Sequence, residues 1–412
     1  MEDDTVRLVQ PGPDELADWI KPANAAFGEA SSPEAFAHGC RLLEADRLIG
    51  AKDGDRWVAT AAAYSFRLTV PGGREVGAPG LTDVAVAPSH RRRGILRRMM
   101  TWVLDQAVER GEPVATLWAS ESAIYQRFGY GIGTLQSAFD IERTRVRFIR
   151  PVEPIGRMRI VDRDEALSLI PPVYEAVRRR TPGALSRNEN RWANDLLFDA
   201  EWMQRGNGAK FIAVLEVDGD VRGYVLYRVL NQWDDRGPDN VVLVLEVIGL
   251  DQASERTIWS WVMDLDLAGH VRAQRGPVPH PLLLELTEPR RMGLMIRDAL
   301  LIRIVDVRAA LEGRGYAAPG TLTFDLTDVD RPENEGRWRL EIGDDGGATL
   351  TPATDEPDLC LDTSDLATLY LGAFRFTDLA RSGRLTECRP GAVAAADRLF
   401  ATGATAWCSM IF

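Results

Sequence analysis

The stretch LTDVAVAPSHRRRGIL, residues 81–96, decides how this chain is read. Leu81 to Ala87 alternate in the manner of a strand, and Pro88 turns the chain. Three arginines and Gly94 then open a segment whose apolar residues fall at Ile95, Leu96, Met99, Met100, Val103, Leu104 and Ala107. That spacing predicts an amphipathic helix running to Glu109. A helix that begins straight after such a turn presents unpaired backbone N–H groups and the positive end of its dipole to whatever lies before it. Gly94 allows close approach, and Arg91 and Arg92 add charge-assisted bonds suited to phosphate oxygens. A strand, an anion cradle and a helix in this order predict an α/β domain that holds a small polyanion.

The charge balance supports a small polyanion over a nucleic acid. PSHRRRGILRRM (88–99) concentrates five arginines in a chain whose net charge is −12, and that overall field repels phosphate backbones and anionic lipid. Nucleic-acid binding through the RRR run would show itself as affinity falling steeply with salt. Arg97 and Arg98, one turn further on, are expected on a solvated helix face.

At 412 residues the chain exceeds the roughly 250 to 300 at which a single core stops growing, so several domains are expected. Before residue 150, strand and helix signals alternate: TVRLV, a helix from Asp14 to Phe27, the long strand DRWVATAAAYSFRLTV, the opening stretch, the buried strand PVATLWAS and the short helix ESAIYQRFGY. The Pro- and Gly-rich PVEPIGRM interrupts this pattern and predicts a boundary near 150. A second α/β pattern over 151–299 repeats the order of the first but has no counterpart of PSHRRRGI. From 300 to 412, strands such as GTLTFDLTD, GRWRLEIGDDGGATLTP and DLCLDTSDLATLYLGAF precede helices through DLARSGRLT and PGAVAAADRLFAT, an α+β signal.

The acidic N-terminus MEDDTVRLVQPGPDEL lacks the basic start and apolar run of a secretory signal, and no stretch approaches a membrane span. Cys40, Cys360, Cys388 and Cys408 are widely spaced and match no metal-site pattern with the four histidines. Free thiols, no metal and a cytoplasmic location are therefore expected.

The opening run resembles the acyl-CoA pyrophosphate loop of the GNAT superfamily of N-acetyltransferases, Arg/Gln-x-x-Gly-x-Gly/Ala. Arg91 and Gly94 match, and Leu96 stands where the last small residue is usual. Tyr125 followed by RFGYG, after the strand PVATLWAS, resembles a second element of that family. Over the whole chain, GLTDVAVAPSHRRRG, LWASESAIYQRFGYG, AALEGRGYA, LYLGAF and a terminal phenylalanine resemble the enhanced intracellular survival (Eis) acetyltransferases of actinobacteria. The resemblance implies an active GNAT domain (1–150), a degenerate GNAT-like domain (151–299) and a sterol-carrier-protein-like domain (300–412). It also implies a homohexamer.

Acetyl transfer from a thioester to an amine needs positioning, a polarised carbonyl, a base for the ammonium proton and an acid for the departing thiolate. By resemblance, backbone groups of Val84, Ala85 and Val86 hold the pantetheine arm and the thioester carbonyl. Arg91, Arg92, Gly94, Ile95 and Leu96 hold the pyrophosphate of acetyl-CoA. Tyr125 is the implied general acid, and the carboxylate of Phe412 the implied general base. Ser120 either touches the sulfur or caps the helix that begins near Glu121, and Tyr130 packs. Phe27 and Glu29 fall where the family meets a cationic amine, but Ile411 replaces the acid usual at the penultimate position, and Asp83, beside the thioester strand, is expected to supply negative charge instead. The implied reaction is N-acetylation of primary amines on small polycations such as aminoglycosides or polyamines, or on lysine. The alternative is a non-catalytic regulator that binds acyl-CoA or lipid.

Overall fold

The computed structural model describes residues 6–28, 32–204, 206–235 and 237–412. The chain divides into two compact units. Met1–Thr134, Ala299–Ala406 and Met410–Phe412 form the first, and Leu135–Asp298 with Trp407–Ser409 form the second.

The first unit contains a seven-stranded sheet. Six of its strands come from the start of the chain: β1 (Val6–Val9), β2 (Leu48–Asp53), β3 (Arg56–Val70), β4 (Arg74–Val86), β5 (Val114–Trp118) and β6 (Tyr130–Ile132). The seventh, Leu300–Ile304, comes from far along the chain and lies between β5 and β6, antiparallel to both. All five of its residues are buried, which suits an interior strand covered on both faces. Its one charged side chain, Arg303, is held by Asp328 at 2.6 Å, so the buried guanidinium is paired.

Strands β3 and β4 form a long hairpin, and β4 therefore begins well before the Gly80 at which its apolar pattern becomes visible in sequence. The turn Pro71–Gly73 places Gly72 at φ 83°, a conformation that costs glycine nothing. The helix Ile95–Glu109 packs on the sheet through Ile95, Met99, Met100, Val103, Leu104 and Ala107, with Leu96 partly buried. These are the residues that helical spacing selects. Against them lie Ile49, Val58, Ala59, Ala61, Leu81, Ala115 and Leu117.

The same unit holds a five-stranded sheet ordered Ala348–Pro352, Gly336–Ile342, Gly320–Thr327, Leu359–Asp362 and Thr386–Glu387. SDLATLY, read from sequence within a run of strands, is instead the helix Thr363–Tyr370, started by Asp362, whose side chain accepts from the Asp365 N–H. Every residue of that helix is buried, so it carries no one-sided period to betray it.

The second unit repeats the pattern. Asp220–Leu230 and Asn240–Gly249 form an antiparallel hairpin, the helix Gln252–Met263 follows, and Ala268–Ala273 lies parallel to Asn240–Gly249. The helix start differs from that of the first unit. Asp251 caps it, accepting from the Ser254 N–H at 2.8 Å and pairing with Arg222, and these bonds hold its carboxyl at about 2. A carboxylate thus already sits at this helix start and takes one of the N–H groups an exogenous anion would use.

Candidate active site

The site begins where two strands part. Strands β4 and β5 run parallel but pair only at Gly80 with Thr116 and Leu81 with Leu117. Just beyond, β4 bulges against β3: Thr60 faces Ala85 and Ala62 faces Thr82, so Ala61 alone opposes both Asp83 and Val84. Asp83 takes φ 51°, an uncommon conformation for a residue with a side chain, and its carbonyl accepts from Thr60 Oγ1 at 2.6 Å. The bulge re-aims the strand. Beyond Leu81, β4 has no ladder to β5 among the described residues, so backbone groups of Val84, Ala85 and Val86 border an opening. An extended ligand carrying amides can pair with such an edge as an added strand would.

The turn that follows prepares the helix. Pro88–His90 forms a short 3-10 turn, with His90 Nε2 3.1 Å from Asp53 Oδ2. Arg92 takes φ 64°, and Gly94, at the helix N-cap, takes φ 75° with open space where a Cβ would lie. Arg91, Arg92 and Gly94 are exposed at the start of a fifteen-residue helix. The next arginines are exposed, as expected, but each also has a partner. Arg97 ion-pairs with Asp330 and lies over the Phe128 ring, 5.4 Å from its centroid, and Arg98 donates to the Val6 carbonyl at 2.8 Å.

Across the opening, Tyr125 sits on the helix Ser122–Gln126. Burial pushes its hydroxyl up to about 12, because a phenolate would lose solvation there. Tyr130 packs edge-on against it, ring centroids 5.9 Å apart, and is fully buried as expected. Ser120 is exposed just past the end of β5 and caps nothing: the N-cap position is Glu121, without a side-chain capping bond.

The chain's last residues are packed. Met410 is buried, Ile411 is exposed, and the Phe412 ring lies 4.9 Å from that of Phe66 and edge-on to Tyr64 at 6.3 Å. The ring covers Gly80, where a Cβ would stand 2.7 Å from it.

A cavity of about 610 Å³ joins these parts. Phe27, Asp83, Val84, Ala85, Val86, Arg91, Arg92, Gly94, Ile95, Leu96, Ser120, Tyr125 and Phe412 all line it. Glu29 lies outside the described residues. Sequence reasoning did not single out His90, Trp118, Glu121 or Arg127, which line it too. Arg127 had a signal, since it stands inside the RFGYG element, and Glu121 follows Ser120 directly. Trp118 ends β5, and its buried Nε1 donor has no partner among the described residues. The lining thus combines arginines at a helix start with two carboxylates, Asp83 and Glu121, and an unpaired strand edge. Among the described residues, no cluster of three or more His, Cys, Asp or Glu side chains is placed to hold a metal ion. Among the described residues, no helix is long and apolar enough to cross a membrane.

Comparison with known proteins covers nearly the whole chain. Residues 5–133 and 183–304 each match an acetyltransferase (GNAT) domain, and residues 307–409 match a sterol carrier protein domain. An uncharacterized N-acetyltransferase of Streptomyces avermitilis is 41% identical over 391 residues, 94% of this chain and 95% of that protein. N-acetyltransferase Eis of Mycobacterium tuberculosis is 34% identical over 393 residues, 92% of this chain and 93% of that one. Among solved structures, Eis1 of Mycobacterium abscessus superposes with a TM-score of 0.84 at 29% identity, covering 99% of this chain and all of its own.

Proposed function

The chain belongs to the Eis N-acetyltransferases, with two GNAT domains and a sterol-carrier-like domain, and from that membership we propose that it acetylates primary amines of small cationic molecules, using acetyl-CoA. The observation that carries this reading is the shared cavity, which brings the helix-start arginines, the unpaired strand edge, Tyr125 and Phe412 to one place.

In this reading Arg91, Arg92 and the N–H groups at Gly94, Ile95 and Leu96 hold the pyrophosphate, and the edge of Val84, Ala85 and Val86 pairs with the pantetheine amides and polarises the thioester carbonyl. The terminal carboxylate of Phe412 takes a proton from the acceptor ammonium, freeing the lone pair that attacks. Tyr125 donates a proton to the departing sulfur. A hydroxyl at about 12 stays protonated at neutral pH, and the burial that raises it disfavours a thiolate formed beside it for the same reason. Ser120 and Trp118, which line the same cavity, steady the thioester in this reading. Asp83, Glu121 and Phe27 offer negative charge and an aromatic face to a cationic acceptor, with Glu29 expected to join them. Assembly as a homohexamer and a cytoplasmic location belong to the same proposal.

Release of free CoA thiol with a panel of polyamines, aminoglycosides and lysine peptides, followed by mass spectrometry of the products, tests it. The expected result is amine-dependent thiol release with one acetyl group added per thiol. If no amine raises release above background while CoA still raises the melting temperature, the chain is a binder of acyl-CoA and the catalytic reading fails.

A further inference from the structure

Cys360 and Cys388, 28 residues apart in the chain, bring their sulfur atoms to 3.1 Å. Cys360 stands in the strand Leu359–Asp362, and Cys388 directly follows Thr386–Glu387, which pairs antiparallel with it: Leu359 faces Glu387 and Cys360 faces Thr386. The Cys388 N–H donates to the Asp358 carbonyl at 2.8 Å, which continues the pairing by one residue. The two cysteines are thus diagonal neighbours on one sheet, and their thiols meet across it. Both are free. A disulfide needs its sulfurs at about 2.05 Å, so little travel separates these thiols from a covalent bond. Cys388 is exposed and Cys360 partly covered, so an oxidant from solvent meets Cys388 first. Burial and the neighbouring thiol push Cys360 up to about 11, which disfavours its thiolate. Neither residue lines the cavity of the candidate active site.

We propose that Cys360 and Cys388 form a redox site that closes to a disulfide when the protein meets a hydroperoxide. The Cys388 thiolate attacks the peroxide oxygen, the O–O bond breaks, and a sulfenic acid and one water (an alcohol, from an alkyl hydroperoxide) result. Cys360 then attacks the sulfenic sulfur: the S–S bond forms, the S–O bond breaks, and a water leaves. Two thiols lose two protons and two electrons, and one peroxide takes them up. A dithiol reductant reverses the change by exchange. The bond would close the loop that carries the helix Thr363–Tyr370, and that helix packs hard against β6, where a Cβ on Gly131 would stand 2.1 Å from the Ser364 carbonyl. Cross-linking such a loop restricts the unfolded chain, so the oxidised protein should melt higher.

The test treats the full chain with hydrogen peroxide, then alkylates it in denaturant and weighs it. The reduced protein, with four cysteines, takes four labels. The oxidised protein is expected to take two, to yield a peptide linking Cys360 to Cys388, to recover all four labels with dithiothreitol, and to melt at a higher temperature. Cys388→Ser, an exposed and conservative change, is expected to keep its three remaining labels through the same treatment. Four labels retained by the wild-type chain would overturn the proposal, as would sulfinic acid at Cys388 with Cys360 still alkylated, or an equal loss of labels in Cys388→Ser.

Discussion

The ring of Phe412 lies 4.9 Å from the ring of Phe66, and both stand where a side chain on Gly80 would have to go. The contact anchors the ring of the terminal residue, so the proposed role of its carboxylate can be tested from either side. A Gly80→Ala methyl would meet Phe66 at 2.3 Å and Phe412 at 2.7 Å, and the more mobile of the two must yield. The expected outcome is a fall in kcat of about tenfold or more, the scale on which misplacement of a reacting group acts, with CoA binding retained by calorimetry. Adding residues after Phe412 should have the same effect, and an extended protein of full activity would remove the terminal carboxylate from the mechanism.

Tyr125→Phe leaves the packing against Tyr130 and removes only the proton. A fall in kcat of roughly 100-fold is expected, the lower end of what a positioned acid supplies, with the KM for acetyl-CoA changed little. Burial raises this hydroxyl to about 12, and an acid whose value is raised stays protonated up to that higher pH. The kcat profile should therefore show no loss from Tyr125 between pH 8 and 10; a decline centred near 10 in the wild type that disappears in Tyr125→Phe would contradict the buried environment.

The arginines of the run divide into two classes. Arg91→Ala and Arg92→Ala should each weaken CoA binding by roughly tenfold, as expected for one charge-assisted bond, and the loss should shrink as salt rises. Arg97→Ala removes a side chain already engaged by Asp330 and Phe128, so its effect should fall mainly on melting temperature. Equal losses of CoA affinity at all three positions would contradict this division.

Glu255 offers a check on the second unit. Burial raises its carboxyl from 4.5 to about 7, so the folded state prefers the protonated form. The associated stability is fully present below about pH 4.5 and is lost as pH rises through 7. Glu255→Gln should therefore leave the melting temperature unchanged at pH 4.5 and raise it at pH 8, by an amount corresponding to roughly 1 to 2 kcal/mol after allowance for its partial exposure. An identical shift at both pH values would assign the effect to packing instead.

The cradle at 81–96 could be read in advance because each step in it is local: a period of two, a proline, a glycine and a period of three to four lie within one window. The bulge at Asp83 could not, since its left-handed conformation comes from the register with Ala61 and not from its residue type. Leu300–Ile304 has a strand's composition, but no periodicity says which sheet takes it. The helix Thr363–Tyr370 was hidden by its complete burial. The meeting of Cys360 with Cys388 depends on the pairing of two short strands, which cysteine spacing does not encode. Ser120, Tyr125 and Phe412 were singled out by resemblance to a family, and their arrival in one cavity is what the fold adds.

The placement of Leu300–Ile304 between β5 and β6 has a consequence for biosynthesis. While the ribosome is still making the second unit, β5 has an open apolar edge and β6 has no strand beside it, since both pair with Leu300–Ile304. The nascent N-terminal segment must wait with a sticky border exposed. Expression of residues 1–150 alone should thus give a protein that aggregates or recruits chaperones, and a co-expressed segment beginning at Ala299 should rescue its solubility by supplying the missing strand.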